Sequence, residues 1–89
     1  MTWKVSYTRT SLKQLKKCPR QTARRIIERI EQIAESEDPR RQGKALTGKL
    51  KEYWRYRVGN YRVICSIQDI ELVILVLKVG KRDRIYKDI

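Results

Sequence analysis

The stretch WRYRVGNYRVI, residues 54–64, holds two strand-like runs joined by Gly59-Asn60, and it decides how this 89-residue chain folds. A two-residue loop of this kind is typical of a tight β-hairpin. With that loop, Trp54 pairs with Cys65 and Arg57 pairs with Arg62. Alternate residues of a strand point to opposite faces, so the hairpin separates into an apolar face and a cationic face.

The two faces have different expected roles. The apolar face is expected to pack beneath helices, and its members are Trp54, Tyr56, Val58, Tyr61, Val63 and Cys65. The cationic face presents Arg55, Arg57 and Arg62. Like charges directly opposite across two strands destabilise a sheet by up to about 1 kcal/mol. Because local violations of folding rules tend to mark functional sites, the arginine face is a candidate site, although a solvated face is the simpler interpretation.

The rest of the chain predicts one small α+β domain over residues 1–89. Residues 2–8, TWKVSYT, alternate like a half-buried strand. A helical hairpin follows, in which Thr8 or Thr10 caps a first helix that carries Leu12 and Leu15 on one face, and Pro19 opens a second helix.

The second helix should lie on the sheet through apolar residues spaced three and four apart, from Ala23 to Ala34. Residues 36–52 read as a long ordered connection, and residues 53–58, 61–67 and 72–79 read as a meander of three strands. The predicted order is therefore β-α-α-β-β-β, with the helical hairpin packed on a small, mostly antiparallel sheet.

The net charge narrows the choice of partner. The chain has 22 Lys and Arg against 10 Asp and Glu, a net charge of +12. Such a charge on so few residues favours a polyanion or an acidic protein as ligand. No apolar run is long enough to cross a bilayer and no export signal opens the chain, so we expect a cytoplasmic protein with two reduced thiols, Cys18 and Cys65, and no membrane partner.

Three segments taken in order resemble a known family. Leu46-x-Gly48, WRYRVGNYRVI and VGKRDRIY, residues 79–86, resemble the RelE/ParE superfamily of toxin-antitoxin toxins, and specifically its RelE-type messenger RNA interferases. The resemblance covers essentially the whole chain, because the β-α-α-β-β-β order also fits that fold. It implies a toxin that cuts messenger RNA in the ribosomal decoding site, by attack of a ribose 2′-hydroxyl on the adjacent phosphate, with no metal or other cofactor.

Carried over by motif, the resemblance assigns five catalytic positions: Arg55, Arg57, Arg62, Arg82 and Tyr86. Our hypothesis is that the three hairpin arginines stabilise the phosphorane, that Arg82 neutralises or protonates the leaving oxygen, and that Tyr86 accepts the proton or stacks on a base. Family members carry lysines where Arg55 and Arg57 stand, and arginine is a poor proton acceptor. Five further cations are expected to track RNA phosphates, namely Lys44, Lys49, Lys51, Lys81 and Arg84.

The residue types also bear on mechanism. The sequence has no histidine, which excludes the histidine pair of many ribonucleases, and its acids are expected to lie away from the basic patch, so a carboxylate cluster for a divalent metal is not expected. The resemblance implies a small acidic antitoxin of the RelB type as partner, beside ribosome and messenger RNA, with DNA reached only through the antitoxin. Three alternatives stay open: a ParE-branch toxin that binds gyrase, a nucleic-acid-binding module without chemistry, and an inactive toxin.

Overall fold

A five-stranded sheet with two helices packed on it organises residues 2–86, the part of the chain that this computed structural model describes. In chain order the elements are β1 (Lys4–Tyr7), α1 (Arg9–Lys17), α2 (Arg20–Glu35), β2 (Lys44–Ala45), β3 (Trp54–Val58), β4 (Tyr61–Gln68) and β5 (Val73–Lys81). The strand order is β1-β5-β4-β3-β2, in which β1 is parallel to β5 and all other pairs are antiparallel. The predicted fold class is confirmed, and the short strand β2 was not predicted.

The hairpin of β3 and β4 has the predicted register. All five predicted pairs are present, from Trp54 with Cys65 to Val58 with Tyr61. Gly59 has a φ of +58°, a left-handed conformation that a glycine adopts without strain and that a tight hairpin turn needs. The boundaries of the three meander strands differ from the prediction by one or two residues.

Helix α2 buries the face that its spacing predicts. Ile26, Ile30 and Ile33 are each at most 1% exposed and pack in one cluster with Tyr56 and Val63 of the sheet. Residues at this spacing share one side of a helix, so the cluster forms a single apolar seam between helix and sheet. Pro19 precedes the helix as its N-cap residue, one position before the predicted start.

Helix α1 buries only one of the two leucines that its sequence places on one face. The Thr8 side chain accepts a hydrogen bond from the Ser11 amide, so of the two candidate caps the structure selects Thr8. Leu15 is buried, whereas Leu12 is 46% exposed. Ser11 is buried instead, one turn before Leu15. Its hydroxyl donates to the Thr8 carbonyl at 2.9 Å, and this local bond removes the cost of burying a polar group.

The connection between α2 and β3 is ordered by contacts to the sheet. It contains 3-10 turns at Pro39–Gln42 and Gly48–Leu50, with β2 between them. The Tyr56 hydroxyl donates to the Pro39 carbonyl at 2.9 Å, and the Trp54 indole donates to the Arg40 carbonyl at 2.9 Å. The Arg40 guanidinium binds both carboxylate oxygens of Asp69, at 2.7 and 2.8 Å, and lies 5.8 Å from the centre of the Trp54 ring. These contacts hold Pro39 and Arg40 against the sheet.

Candidate anion-binding site on the outer face of the sheet

The face of the sheet turned away from the helices carries the hairpin arginines. Tyr56, between Arg55 and Arg57, is 1% exposed in the main core, so its two neighbours in β3 point to the opposite side. Arg57 pairs directly with Arg62, and Arg57 is exposed. Trp54 and Tyr56 therefore lie apart from the arginines, as the predicted hairpin required.

Arg62 is the least accessible of the hairpin arginines. It is 6% exposed although it lies outside the main apolar cluster, and its Nη1 donates to the carbonyls of Gly59 and Tyr61, at 3.0 and 2.9 Å. Desolvation by burial is the largest cause that lowers the pKa of the Arg62 guanidinium below its ordinary value. Arg62 thus stabilises the hairpin loop through these hydrogen bonds, and it places a buried positive charge on the outer face of the sheet.

The charges that act on Arg62 identify its neighbours. After burial, three nearby cations lower its pKa further, in the order Arg57, Arg55 and Arg82. Tyr86 acts in the opposite direction and raises it. Arg57 is thus paired directly with Arg62, and Arg55, Arg82 and Tyr86 lie within electrostatic range of the Arg62 guanidinium, although the last two follow β5.

A turn after β5 folds back over the outer face and carries Arg82, Arg84 and Tyr86. The Arg82 amide donates to the Asn60 carbonyl at 3.0 Å, and the Ile85 amide donates to the Lys81 carbonyl at 2.9 Å. Ile85 is 4% exposed, and it lies outside the main apolar cluster between the helices and the sheet. We call residues 81–86 the C-terminal turn.

The C-terminal turn packs on Gly80. Gly80 pairs with Arg62 across β4 and β5, and a Cβ on it would lie 3.5 Å from the Ile85 side chain, an ordinary van der Waals distance. Ile85 thus covers the position directly beside Arg62. Nothing in the motif analysis pointed to Ile85, because a single isoleucine in a basic segment has no periodicity to reveal its burial.

A groove along the open edge of β3 extends the cationic surface. This edge groove has a volume of about 310 Å³ and is lined by Arg29, Arg41, Gln42, Gly43, Lys44, Arg55 and Arg57. Arg29 comes from α2 and was not predicted, because the sequence places it on a helix far from the hairpin. Lys44 pairs directly with Arg55, which makes a second like-charge pair across strands.

The other predicted RNA-binding cations are not all in one place. Lys81 and Arg84 belong to the C-terminal turn, and they line a cavity of about 240 Å³ with Cys18 and Tyr61. Lys49 and Lys51 are exposed at the second 3-10 turn, and they are not among the residues of the edge groove. The structure therefore groups Lys44 with Arg55 and Arg57, whereas Lys49 and Lys51 do not line the edge groove.

The acids are closer to the cations than their positions in sequence indicate. Glu28 of α2 lines a cavity of about 290 Å³ together with Arg57, and Asp83 lines one of about 320 Å³ with Arg82. The expectation that the acids lie away from the basic surface was wrong, because α2 crosses the sheet near the open end of β3. Within residues 2–86 no three His, Cys, Asp or Glu side chains are grouped so as to hold a metal ion. In the same residues no helix is long and apolar enough to cross a membrane.

The comparisons with known proteins agree with this fold. The family model described as the ParE toxin of type II toxin-antitoxin systems matches residues 5–86. No curated protein sequence shows a significant match to the chain. The match spans nearly every residue that the structure describes, so the chain belongs to this toxin family, within the RelE/ParE superfamily.

Three solved structures are similar to the chain. The RelBE2 toxin-antitoxin complex from Mycobacterium tuberculosis is 26% identical, with a TM-score of 0.84 over 92% of this chain and 93% of that chain. The RelE-RelB complex from Pyrococcus horikoshii OT3 is 32% identical, with a TM-score of 0.73 over 94% and 99%. A mutant of the E. coli toxin RelE in the free state, 22% identical with a TM-score of 0.77 over 91% and 84%, shares the fold.

Proposed function

We propose that this chain is a toxin of the RelE branch, a metal-independent endoribonuclease that cuts messenger RNA in the decoding site of the ribosome and so inhibits translation in the cytoplasm. The observation that carries the proposal is that Arg57 pairs directly with the buried Arg62, while the Arg82 amide is bonded to the carbonyl of Asn60 in the adjoining hairpin loop and Arg55 and Tyr86 lie within electrostatic range of Arg62. Clustered guanidinium groups suit a phosphate on which negative charge builds up, because fixed cations need no reorganisation during the reaction.

The proposed reaction is an internal phosphoryl transfer. The 2′-oxygen attacks the adjacent phosphorus as its proton passes to an acceptor, and the bond from phosphorus to the 5′-oxygen breaks. The 5′-oxygen takes up a proton from water, so a 2′,3′-cyclic phosphate and a 5′-hydroxyl result. Arg57 is exposed and can contact the non-bridging oxygens, whereas Arg62 acts from beneath through its charge. Arg55 adds a second cation from the same strand. Arg82 would neutralise the leaving oxygen.

Two side chains are candidates for the acceptor of the 2′-hydroxyl proton, Tyr86 and Glu28. Arginine at positions 55 and 57 leaves Tyr86, which is 36% exposed beside the arginine cluster, as the proposed acceptor. Glu28 places a carboxylate in the cavity beside Arg57 and is the natural comparison. If Tyr86→Phe cuts as fast as the parent and Glu28→Gln does not, the acceptor is Glu28, and Tyr86 is left with base stacking.

The proposed partner is a small acidic antitoxin of the RelB type. A net charge of +12 suits an acidic chain that covers the cationic face, and the similar structures from Mycobacterium tuberculosis and Pyrococcus horikoshii are toxin-antitoxin complexes. Any contact with operator DNA would be made through that antitoxin.

A ParE-branch toxin that binds gyrase is the second candidate, because the matching family model is described by the ParE name. This branch shares the fold, so the fold does not separate the two activities. Retention of all five motif positions favours the RelE branch.

The deciding experiment is translation in a ribosome-containing extract, with new 5′ ends of messenger RNA mapped by primer extension. Arg57→Ala and Arg82→Ala are the informative variants, since both residues are exposed and neither truncation opens the core. Each should slow cutting about a hundred-fold, as loss of one preorganised donor does in other enzymes. Arg9→Ala, an exposed arginine at the start of α1, is the matched control and should cut like the parent.

Two results would count against the proposal. Cutting that persists in Arg57→Ala and Arg82→Ala would remove the arginine cluster from the mechanism. Intact messages at protein concentrations that still arrest growth would favour the gyrase branch, which a supercoiling assay then tests directly.

A further inference from the structure

The edge groove has a composition that the proposed reaction does not explain. Its lining contributes five cations, from Arg29, Arg41, Lys44, Arg55 and Arg57, and no acid. Only Arg55 and Arg57 belong to the proposed catalytic cluster. The remaining three come from α2, the first 3-10 turn and β2, so three separate elements converge with their positive charges on one cavity.

Two features of the groove lining oppose folding. Lys44 stands directly opposite Arg55, and within residues 2–86 the buried Arg55 Nε has no hydrogen-bond acceptor. Like charges across a strand pair and an unpaired buried donor both oppose folding. A bound anion would relieve the first by neutralising the facing charges.

The wall of the groove formed by residues 40–43 is docked on β3. A Cβ on Gly43 would overlap the Arg55 carbonyl, so the chain at Gly43 runs directly against β3. Just before this contact, the Arg40 carbonyl accepts from the Trp54 indole, and the Gln42 side chain accepts from Arg29 of α2 at 3.3 Å. Arg41 is thereby presented by a docked segment and Arg29 by a helix bonded to that segment, which is the preorganisation that a binding site needs.

The position of the groove continues the proposed catalytic surface. The C-terminal turn lies over β5, Arg62 is on β4, Arg57 on β3, and Lys44 on β2. Adjacent strands are spaced by about 4.8 Å, so this track is about 14 Å long. An extended single strand of RNA would place more than one phosphate along it.

We propose that the edge groove is a second phosphate subsite, in which Arg29 and Arg41 bind a backbone phosphate of single-stranded RNA next to the phosphate held at Arg57 and Arg62. This inference rests on the proposed function, since it concerns the same substrate. A phosphate fits the groove better than an acidic protein segment does, because the lining offers arginine forks and no apolar side chain for a peptide to bury.

The test is binding of short, non-cleavable RNA to the whole protein. The probes are 2′-O-methyl oligonucleotides of two, three, four and six nucleotides, measured by fluorescence anisotropy over a range of salt concentrations. The test variant is the double substitution Arg29→Ala with Arg41→Ala. The matched control is Arg20→Ala with Arg24→Ala, which removes the same charge from exposed positions of α2 outside the groove.

We expect the parent and the control to gain affinity with each added phosphate up to four nucleotides. The test variant should lose the gain of one step, roughly ten-fold in affinity, and its salt slope should fall by about 0.7, the value for one phosphate contact on a single strand. Equal affinity and equal slope in the two double variants would overturn the subsite. The subsite would also be overturned if the test variant bound RNA like the control and lost only its affinity for poly-glutamate, added as a competitor. The groove would then be a site for an acidic protein.

This measurement is independent of cutting. If the parent fails to cut messenger RNA on ribosomes but the test variant still loses one phosphate step, the subsite stands and the proposed activity falls. If the parent cuts and the two double variants bind RNA alike, the activity stands and the subsite falls. Thermal unfolding of both double variants checks that each is folded.

Discussion

Truncation of Ile85 to alanine is the sharpest test of how the site is assembled. Ile85 is 4% exposed and packs on Gly80, the residue that pairs with Arg62. It is the buried apolar residue of the C-terminal turn, which carries Arg82 and Tyr86. If the turn is held by this contact, loss of the side chain should release it while the main core stays intact.

The size of the effect follows from the buried side chain. Alanine in place of isoleucine removes three carbon groups at about 0.8 kcal/mol each, so the closed turn should lose about 2 kcal/mol. A loss of this size shifts the equilibrium between closed and open turn roughly thirty-fold. Only backbone hydrogen bonds such as Arg82 N–H to the Asn60 carbonyl would then oppose opening.

The assay is amide hydrogen exchange of Arg82 and Ile85, combined with messenger RNA cutting. In the closed turn the Arg82 amide donates to the Asn60 carbonyl and the Ile85 amide donates to the Lys81 carbonyl. Their exchange should therefore be about thirty-fold faster in Ile85→Ala, while exchange of amides in α2 changes little. Cutting should fall because Arg82 and Tyr86 are no longer held beside Arg62. Ile70→Ala is the matched control, since Ile70 is 97% exposed and the same truncation there should alter neither readout. Unchanged exchange of the Arg82 amide in Ile85→Ala would refute the reasoning.

Three further predictions test other contacts. Gly43→Ala should destabilise the fold by about 1–3 kcal/mol in thermal unfolding, because the added Cβ would lie 2.4 Å from a backbone carbonyl of β3; an unchanged Tm would show that the chain can move away there. The Arg40 guanidinium lowers the pKa of the Asp69 carboxyl, so Arg40→Ala should raise the NMR titration midpoint of Asp69 toward the ordinary value. The ion pair stabilises the native state above the unfolded-state pKa of Asp69, and this stabilisation is lost as the pH falls through the folded-state pKa. An unchanged midpoint in Arg40→Ala would contradict this prediction. Burial raises the pKa of the Cys65 thiol, so at pH 8 a thiol reagent should label only half-buried Cys18 until the protein unfolds; rapid labelling of Cys65 in the native state would argue against its burial.

The role of Arg62 illustrates why the accessible arginines are better probes than the buried one. Arg62 is one of three cations on the hairpin, and in the structure its Nη1 also donates to two loop carbonyls. Arg62→Ala would therefore loosen the hairpin loop as well as remove a charge. Arg62→Lys keeps the charge but lacks the planar fork, so comparing the two separates the electrostatic contribution from the structural one.

Periodicity and the two-residue loop were sufficient to predict the parts of this protein that local geometry controls. In the β3-β4 hairpin, a loop of Gly59-Asn60 leaves one register, and alternation along the strands then assigns every arginine to the outer face. In α2, the spacing of isoleucines selects the buried side directly. The composition likewise indicated an anionic partner, because net charge does not depend on the fold.

Other features depend on which distant segments meet, and only the tertiary structure decided them. Helix α1 buries Ser11 rather than Leu12, because the nearby Thr8 carbonyl satisfies the hydroxyl. Arg29 joins the edge groove because α2 crosses the sheet beside β3, and Ile85 is buried because the chain after β5 turns back onto Gly80. Each of these contacts joins residues that no local pattern relates, so its energy comes from packing between elements rather than from the preference of any one element.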